Sequence, residues 1–210
     1  MVKVFDLDGT LLDSNGVWRW VDETFVGRHG LKLTDEYNEY VAHAIFPDAA
    51  KFTKSYYGLS ESEEEIMASW HKLAYNAYAS ELKLKPGVAI YLNQCQSSGD
   101  RMVLYTSSEP SLCKAALEHH HITSCFDQLF FAQELRLEKK YPDSFLKLSD
   151  MLEESPQDCL LFDDSPLACC SAKAAGWQVI GVEDPFFAHH LDEMKTQCDC
   201  VIRGFQDLVK

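Results

Sequence analysis

The sequence has few of the features that mark nucleic-acid-binding, membrane or secreted proteins. Basic residues are in deficit, since 19 Lys and Arg stand against 33 Asp and Glu and the formal net charge is −14. This charge argues against nucleic acids and anionic membranes as partners, because both are bound by basic surfaces. No apolar run approaches the roughly 18 residues of a membrane span. The first residues lack the basic start and long apolar stretch of a secretion signal, so we expect a cytoplasmic protein.

Metal-binding and redox motifs of cysteine are also missing, although the chain has eight cysteines. No Cys-x-x-Cys pair occurs, so nothing in the sequence indicates a zinc ribbon or a thioredoxin-like site. We expect ordinary reduced thiols, because a chain of 210 residues does not need disulfides to stabilise its core. The run His119-His120-His121 does not predict a metal site, because adjacent residues on a helix point in different directions. We expect it on a solvated face near a helix end.

The hydrophobic pattern predicts an α/β fold, with a Rossmann-like, mostly parallel sheet flanked by helices. Residues 2–5 form a short apolar strand, residues 15–80 show only helical periodicity, and strands alternate with helices after Pro86-Gly87. We therefore predict a catalytic core of residues 1–14 and 81–210, and an inserted helical cap domain at 15–80. The later predicted strands are 102–105, 129–131, 159–162, 179–182 and 200–202. The predicted helices include 36–45, 47–56, one after Ser62, 88–97, 110–119, 142–152, 166–175 and 186–194.

Polar residues follow four of the predicted strands, and ligand sites in open parallel sheets lie outside the carboxyl ends of strands. Four carboxylates at one edge repel one another and need a cation, and oxygen ligands without His or Cys favour Mg²⁺. A lysine, a threonine and backbone N–H groups at Gly9 and Ser107 would make an anion cradle. Together these groups indicate phosphoryl transfer, in which one of two spaced aspartates attacks phosphorus and the other transfers protons. The strand-end residues are Asp6, Asp8, Gly9, Thr10, Thr106, Ser107, Lys139, Lys140, Asp163 and Asp164.

Four segments, in this order, resemble the four motifs of the haloacid dehalogenase superfamily. Residues 5–14 (FDLDGTLLDS) resemble the first motif, and residues 103–108 (VLYTSS) resemble the second. In residues 139–143 (KKYPD) a lysine precedes Pro-Asp by three positions, as in the third motif, and residues 160–165 (LLFDDS) resemble the fourth. The resemblance covers almost the whole chain. The helical insertion lies where the phosphoglycolate-phosphatase and β-phosphoglucomutase-like branch carries its cap.

The resemblance implies roles for the residues of the first motif. Asp6 would be the nucleophile that forms an aspartyl-phosphate, and would also bind Mg²⁺. Asp8 would act as general acid and base, and its backbone carbonyl would bind Mg²⁺. Thr10 would form a hydrogen bond near Asp8 and fix its position. With Gly9, Thr10 is predicted to belong to the phosphate-binding group.

The other three motifs imply the remaining roles. Thr106 and the N–H of Ser107 would hold the phosphate, and Lys139 would neutralise the charge of the nucleophile and the phosphate. Asp164 would bind Mg²⁺ directly and Asp163 through a water. Three alternatives stay open: Thr106 could cap the following helix, the paired acids could cap the helix near residue 166, and Lys140 could exchange roles with Lys139, since Pro is common at position 140 in the family.

The resemblance also favours one reaction over the others of the superfamily. The presence of Asp8 favours transfer from an oxygen ester, since phosphonatases and dehalogenases of the family lack this acid. Mutases of the β-phosphoglucomutase type place a His early in the cap, where Trp18 stands here, so water is the expected acceptor. We therefore predict a Mg²⁺-dependent phosphatase for a small phosphorylated metabolite. A sugar phosphomutase and a non-catalytic phosphate-binding regulator are the alternatives, and a monomer is the favoured state.

Two further expectations concern the cap and the charge. Trp18 and Trp20 either belong to the core of the cap or line a pocket for an apolar or ring-bearing substrate, and the sequence does not separate these interpretations. An acidic protein repels an anionic ester at long range. The positive charge of Mg²⁺ and Lys139 must therefore be local, and we expect a strict requirement for the metal.

Overall fold

The computed structural model describes residues 1–41 and 46–209, and it contains a six-stranded sheet. The strands lie in the order β3-β2-β1-β4-β5-β6, and each described pair of neighbours is parallel. This arrangement confirms the predicted fold class. The strands are β1 (Val2–Phe5), β2 (Arg101–Thr106), β3 (Gln128–Phe131), β4 (Cys159–Asp163), β5 (Gln178–Val182) and β6 (Cys200–Ile202).

The direction in which successive strands are added to the sheet reverses at β1. The sheet grows from β1 through β2 to β3, and the chain then returns to the other side of β1 with β4. Phe5 is therefore in register with Leu104 of β2 and with Phe162 of β4. Ligands of such sheets bind in the crevice at the carboxyl ends of the strands, where the order reverses. The residues that follow β1, β2 and β4 meet at this edge.

In the described part of the chain, ten α-helices lie between successive strands in sequence. Pro stands at the first position of α6, α8 and α9, where its fixed φ suits the first turn and its missing N–H is not needed. The helices are α1 (Val17–Arg28), α2 (Asp35–Val41), α3 (Phe46–Tyr57), α4 (Glu63–Ser80), α5 (Val88–Ser97), α6 (Pro110–His119), α7 (Ala132–Leu135), α8 (Pro142–Leu152), α9 (Pro166–Ala174) and α10 (Leu191–Gln197).

The central strands β1 and β4 bury apolar side chains on both faces of the sheet, as expected for parallel strands inside an α/β fold. On one face, Val4 and Leu161 belong to the same buried cluster as Phe145 of α8 and Trp177. On the other face, Phe5 stacks on Phe162 with ring centroids 4.6 Å apart. The burial fixes the register of β1 against β4, because a shift by one residue would exchange the two faces.

The chain divides into two compact units. The first consists of Met1–Asn15 and Leu82–Lys210 and contains the whole sheet, and the second consists of Gly16–Glu81 and contains α1 to α4. In the second unit, α4 begins with a capping box: Ser62 accepts from the N–H of Glu65, and the Glu65 side chain accepts from the N–H of Ser62. This reciprocal pair satisfies two N–H groups at the start of the helix.

The structure differs from the sequence-based expectation near residues 186–194, where one helix is predicted. A 3₁₀ helix covers Pro185–His190 and α10 follows it. Asp184 accepts from the N–H of Phe186, and Phe187 leaves helical geometry with φ −104° and ψ 19°. The predicted helix at 36–45 is described as far as Val41, and residues 42–45 lie outside the described residues.

The eight cysteines are free thiols, and five of them are buried, as expected. The histidine run is only partly as expected. His119 ends α6, but Nε2 of His120 lies 2.9 Å from the carbonyl oxygen of Leu82, and burial lowers the pKa of His120. A long-range contact of this kind has no local signal in the sequence. Among the residues that the structure describes, no helix is long and apolar enough to span a membrane.

Asp22 of α1 is a partly buried acid of the second unit, and the pH dependence of its ionisation leads to a prediction about stability. Burial raises the pKa of Asp22 to about 6, although the hydroxyl of Tyr37 donates to it over 3.2 Å. The folded protein therefore holds this proton more tightly than the unfolded chain does. The stability that protonation gives is present at pH 4 and is lost as the pH rises through about 6.

We expect Asp22→Asn to stabilise the protein at pH 8, by about 2 kcal/mol, and to change its stability little at pH 4. Denaturant unfolding of both proteins across this pH range measures the difference. Asp48→Asn, which removes an exposed acid at the start of α3, is the matched control. A variant whose stability followed the wild-type pH dependence would show that Asp22 is ionised without penalty.

Candidate active site

Strand-end residues from β1, β2 and β4 occupy neighbouring positions at the carboxyl edge of the sheet. Asp6 is the first residue after β1, and Thr106 is the last residue of β2. Asp163 is the last residue of β4, and Asp164 is the next residue in the sequence. The N–H of Asp6 donates to the carbonyl oxygen of Phe162 over 2.9 Å, which extends the pairing of β1 with β4 by one residue. The acids of the first and fourth motifs are thus brought together by adjacent parallel strands.

Three buried carboxylates form the centre of this edge. Asp6, Asp163 and Asp164 each offer an oxygen, and these oxygens lie within 4.8 Å of one another. Burial raises the pKa of Asp6 well above its ordinary value, and the neighbouring carboxylates raise it further, against the opposing effect of Lys139. Burial and Asp163 likewise raise the pKa of Asp164 to about 7. The cluster carries more negative charge than its surroundings compensate.

Lys139 is the cation that contacts this cluster. Its Nζ donates to Asp6 and, over 2.9 Å, to Oδ2 of Asp163. Burial lowers the pKa of Lys139, but the two acids more than reverse this effect, so the pKa is raised and the ammonium is charged. Oδ1 of Asp163 accepts from the N–H of Ser165 over 2.9 Å. Asp163 is therefore held by one bond at each oxygen.

The loop after α7 explains why Lys139 reaches the cluster and Lys140 does not. The hydroxyl of Tyr105 in β2 donates to the carbonyl oxygen of Leu137 over 2.7 Å, and Leu137 is buried. The side chain of Lys139 is only 10% exposed, whereas that of Lys140 is 45% exposed and pairs with Glu138. The structure therefore places Lys139, the residue chosen by its spacing to Pro-Asp, next to Asp6. Its role in catalysis stays a prediction.

Asp8 lies on the turn after β1 and is partly exposed. The hydroxyl of Ser14 donates to its Oδ1 over 2.7 Å. The hydroxyl of Thr10 donates to Oδ1 of Asp164, 3.2 Å away. The predicted roles of Thr10, positioning Asp8 and binding phosphate, stay predictions.

Gly9 lies in the same turn, and its predicted place among the phosphate-binding residues stays a prediction. Its N–H donates to the carbonyl oxygen of Leu12 over 2.9 Å and lies 3.3 Å from the hydroxyl of Ser14, so both contacts are within the turn. The residue has φ +76°, and a Cβ added to it would lie 2.1 Å from Oδ2 of Asp164. Glycine is therefore required because the carboxylate of Asp164 packs directly on the backbone.

Thr106 is the last residue of β2, the second strand that pairs with β1, and Ser107 follows it. Thr106 is fully buried, and its hydroxyl accepts from the N–H of Ser108 over 3.0 Å, so its own proton can still be donated to an anion. Ser107 is exposed at the edge. Neither of them caps α6, because Glu109 holds that position and accepts from the N–H groups of Ser111 and Leu112. Ser165 caps α9 in the same way, through the N–H of Ala168.

Three further residues near Asp164 were not predicted from the sequence. Nδ2 of Asn15 donates to Oδ2 of Asp164 over 2.7 Å. Nζ of Lys85 lies 2.6 Å from Oδ2 of Asp184, and both side chains are buried. Asp184 follows β5, so the strand-end rule would have found it if it had been applied to β5 as well as to the first four strands. No local signal identifies Asn15, which precedes the inserted segment, or Lys85, which follows it.

The donor set fits a divalent cation. Three buried carboxyl groups share one ammonium, and the raised pKa values of Asp6 and Asp164 show that full ionisation of all three is costly without a further cation. Carboxylate oxygens without His or Cys nearby suit Mg²⁺ or another hard ion. The residues that would hold it are Asp6, Asp163 and Asp164. The predicted contribution of Asp8 comes from its backbone carbonyl and stays a prediction.

Comparison with known proteins gives one family match. The family model described as haloacid dehalogenase-like hydrolase matches residues 2–176. A bifunctional riboflavin kinase/FMN phosphatase of Arabidopsis thaliana is 25% identical over 98% of this chain, which spans only 53% of that protein. The "Probable pseudouridine-5'-phosphatase" of Drosophila melanogaster and hexitol phosphatase A of Escherichia coli are each 28% identical. These two alignments cover 97% and 98% of this chain and 90% and 91% of the relatives.

Solved structures show the same fold at low sequence identity. A candidate β-phosphoglucomutase of Thermotoga maritima has a TM-score of 0.81 at 21% identity, over 99% of this chain and 97% of that chain. CbbY of Rhodobacter sphaeroides, solved in complex with phosphate, has a TM-score of 0.79 at 19% identity, over 99% and 95% of the two chains. These matches agree with the predicted Rossmann-like fold.

Proposed function

Because the chain belongs to the haloacid dehalogenase-like hydrolase family, we propose that it is a Mg²⁺-dependent phosphatase that acts through an aspartyl-phosphate on Asp6. The family match confirms the predicted superfamily and the predicted class of hydrolase. The proposal adds the metal, the mechanism and a small phosphorylated metabolite as substrate. The observation that carries it is the buried contact of Lys139 with both Asp6 and Asp163, beside Asp164.

The mechanism uses the two aspartates of the first motif in turn. In the first half-reaction, a carboxylate oxygen of Asp6 attacks phosphorus, the bond from phosphorus to the ester oxygen breaks, and Asp8 gives its proton to the leaving oxygen. In the second half-reaction, Asp8 takes a proton from a water that attacks phosphorus. The bond from phosphorus to the Asp6 oxygen breaks, which regenerates the Asp6 carboxylate and forms inorganic phosphate. Ser14, which donates to Oδ1 of Asp8 over 2.7 Å, fixes the direction of that carboxyl.

The remaining groups compensate the charge of the phosphate. The ammonium of Lys139 contacts Asp6 and neutralises negative charge where the nucleophile meets an anionic ester. Thr106, with a proton available, and the N–H of Ser107 are the proposed phosphate donors at the end of β2. A bound Mg²⁺, held by Asp6, Asp163 and Asp164, supplies further positive charge for the phosphate oxygens.

The proposed substrate class follows the relatives, which are named for an FMN, a pseudouridine 5'-phosphate and a hexitol phosphatase activity. All three names refer to small phosphorylated compounds. We therefore propose a monophosphate of a sugar, a sugar alcohol or a nucleoside. The net charge of −14 disfavours long polyanions, so nucleic acids are not proposed.

A panel of such monophosphates, assayed for released phosphate, tests the function. We expect hydrolysis of at least one ester with Mg²⁺, complete loss with EDTA, and recovery when Mg²⁺ is added back. Mn²⁺ and Ca²⁺ in the add-back step test the identity of the metal. Isomerised sugar phosphate without released phosphate would indicate a mutase. Binding of esters and metal with no turnover on the whole panel would indicate a phosphate-binding regulator.

A further inference from the structure

A buried ion pair lies next to Asp164, outside the four motifs. The side chains of Lys85 and Asp184 are 7% and 3% exposed, and Nζ lies 2.6 Å from Oδ2. Nζ of Lys85 also donates to the carbonyl oxygen of Glu183 over 2.9 Å, and Asp184 Oδ1 accepts from the N–H of Phe186. Burial raises the pKa of Asp184, but the contacts with Lys85 and Asn15 reverse this, and its pKa is lowered. Buried ion pairs give little more stability than apolar residues of similar volume, which suggests that the Lys85–Asp184 pair has a role other than stabilising the fold.

Asn15 connects the pair to Asp164. Its Nδ2 donates to Oδ2 of Asp164 over 2.7 Å, and the same side chain interacts with Asp184. A side-chain amide has two N–H donors, so one nitrogen can serve both acids. A Cβ on Gly9 would lie 2.2 Å from Nδ2 of Asn15. The amide is therefore confined between two carboxylates and the backbone of the first motif.

The backbone that carries Asn15 and Lys85 is itself paired. The N–H of Asp13 donates to the carbonyl oxygen of Lys83, and the N–H of Lys85 donates to that of Leu11, both over 2.9 Å. Leu12 and Leu84 form an antiparallel bridge between these hydrogen bonds. The two segments on either side of the inserted unit therefore form a short ladder in the first unit, which fixes both side chains relative to the sheet.

We propose that Asn15, held in place by the Lys85–Asp184 pair, is a positioning residue that orients the carboxylate of Asp164 toward the metal. The inference rests on the proposed metal site. Thr10 donates to Oδ1 of Asp164 and Asn15 to Oδ2, so the carboxylate plane is fixed from both sides. Each oxygen keeps a second acceptor direction for a cation. Partners of this kind set the direction of a metal ligand, and their loss weakens metal binding.

The test measures metal affinity directly, on the full-length protein without substrate. Isothermal titration with Mg²⁺ and the electron paramagnetic resonance spectrum of bound Mn²⁺ report the site. We expect Asn15→Ala to weaken Mg²⁺ binding by about 10- to 100-fold and to change the Mn²⁺ spectrum. At saturating metal, kcat should fall much less than the affinity. Asn93→Ala, at an exposed position of α5, should bind metal as the wild type does.

Asp184→Asn tests the second part of the proposal. Lys85→Met and Asp184→Asn each leave one buried partner without its counter-charge, but Asp184→Asn keeps the shape of the side chain and an oxygen that accepts from Lys85. We expect Asp184→Asn to weaken Mg²⁺ binding less than Asn15→Ala does. The double variant should bind no worse than Asn15→Ala alone, because both changes act through the same amide.

The outcomes separate this inference from the proposed function. Unchanged Mg²⁺ affinity in Asn15→Ala, with normal binding in the wild type, overturns the positioning role and leaves the phosphatase proposal standing. A lower melting temperature of Asn15→Ala with unchanged affinity assigns Asn15 a structural role only, and so overturns the inference too. Absence of divalent-metal binding in the wild type overturns both proposals. Additive losses in the double variant refute the link between Asn15 and Asp184.

Discussion

Asp6→Asn is expected to lower kcat/KM for any ester that the wild type hydrolyses by at least about 1,000-fold, equivalent to about 4 kcal/mol of activation free energy. An amide is a far weaker nucleophile than a carboxylate and does not form a phosphorylated intermediate. The variant should still fold. Asp6 is one of three mutually repelling buried acids, and Lys139 retains its bond to Asp163 when Asp6 is neutral. We therefore expect an unchanged or raised melting temperature in the absence of metal.

Two measurements separate the role of Asp6 as a nucleophile from a role as metal ligand only. Rapid acid quenching of the wild type with substrate should leave phosphate on a peptide that contains Asp6, and the variant should show none. Asp150→Asn, at an exposed position of α8, is the control and should retain full activity. Substantial hydrolysis by Asp6→Asn, or a phosphorylated peptide elsewhere in the chain, would refute the mechanism.

The elements with strong local signals are those that the sequence predicts well. Residues 88–97 follow Pro86-Gly87, and residues 110–119 and 142–152 begin with Pro, and all three are helices with the predicted bounds. Proline and glycine act on the backbone of their own segment, so no tertiary information is needed. The helix predicted at 186–194 also follows a proline, Pro185, but Phe187 leaves helical geometry near its start, and no residue type there signals the break.

The acids of the site were predictable for a different reason. Asp6 and Asp163-Asp164 end apolar strands, and parallel strands bring their carboxyl ends to one edge whatever their order. The partners of these acids depend on the order itself. Asn15 and Asp164 are 149 residues apart, and Lys85, which pairs with the segment after β1, contacts Asp184, which follows β5. No periodicity in one segment reports contacts of that range.

The choice between the two adjacent lysines shows the same limit. Spacing to Pro-Asp selects Lys139, but both lysines carry the same charge and lie within three residues of the start of α8 in sequence. The position of Leu137 determines which lysine faces the carboxylates. Leu137 is buried, and its carbonyl oxygen accepts from the hydroxyl of Tyr105. This contact fixes the loop so that Lys139 faces the cluster and Lys140 is exposed beside Glu138.

Lys139→Met and Lys140→Met should therefore differ strongly, although the two changes are chemically identical. Lys139→Met leaves Asp6 and Asp163 buried without their cation, and removal of one partner of a buried pair costs about 3–5 kcal/mol. We expect a loss of this size in the metal-free protein, with loss of phosphatase activity. Lys140→Met removes an exposed pair with Glu138, which is screened by solvent and contributes little to stability, and should retain activity.

The pH and metal dependence of Lys139→Met provide the readout that a simple packing defect would not give. Burial already raises the pKa of Asp6, and Lys139 is the group that lowers it. Without the lysine, the folded state binds protons more tightly, so the variant should recover stability as the pH falls and lose more of it as the pH rises. Divalent metal should also stabilise Lys139→Met, because a cation replaces the missing charge. Denaturant unfolding at pH 5 and pH 8, with EDTA and with Mg²⁺, measures both effects. Equal losses in the two lysine variants, or a Lys139→Met deficit that neither acid nor metal reduces, would show that Lys139 does not compensate the charge of these carboxylates.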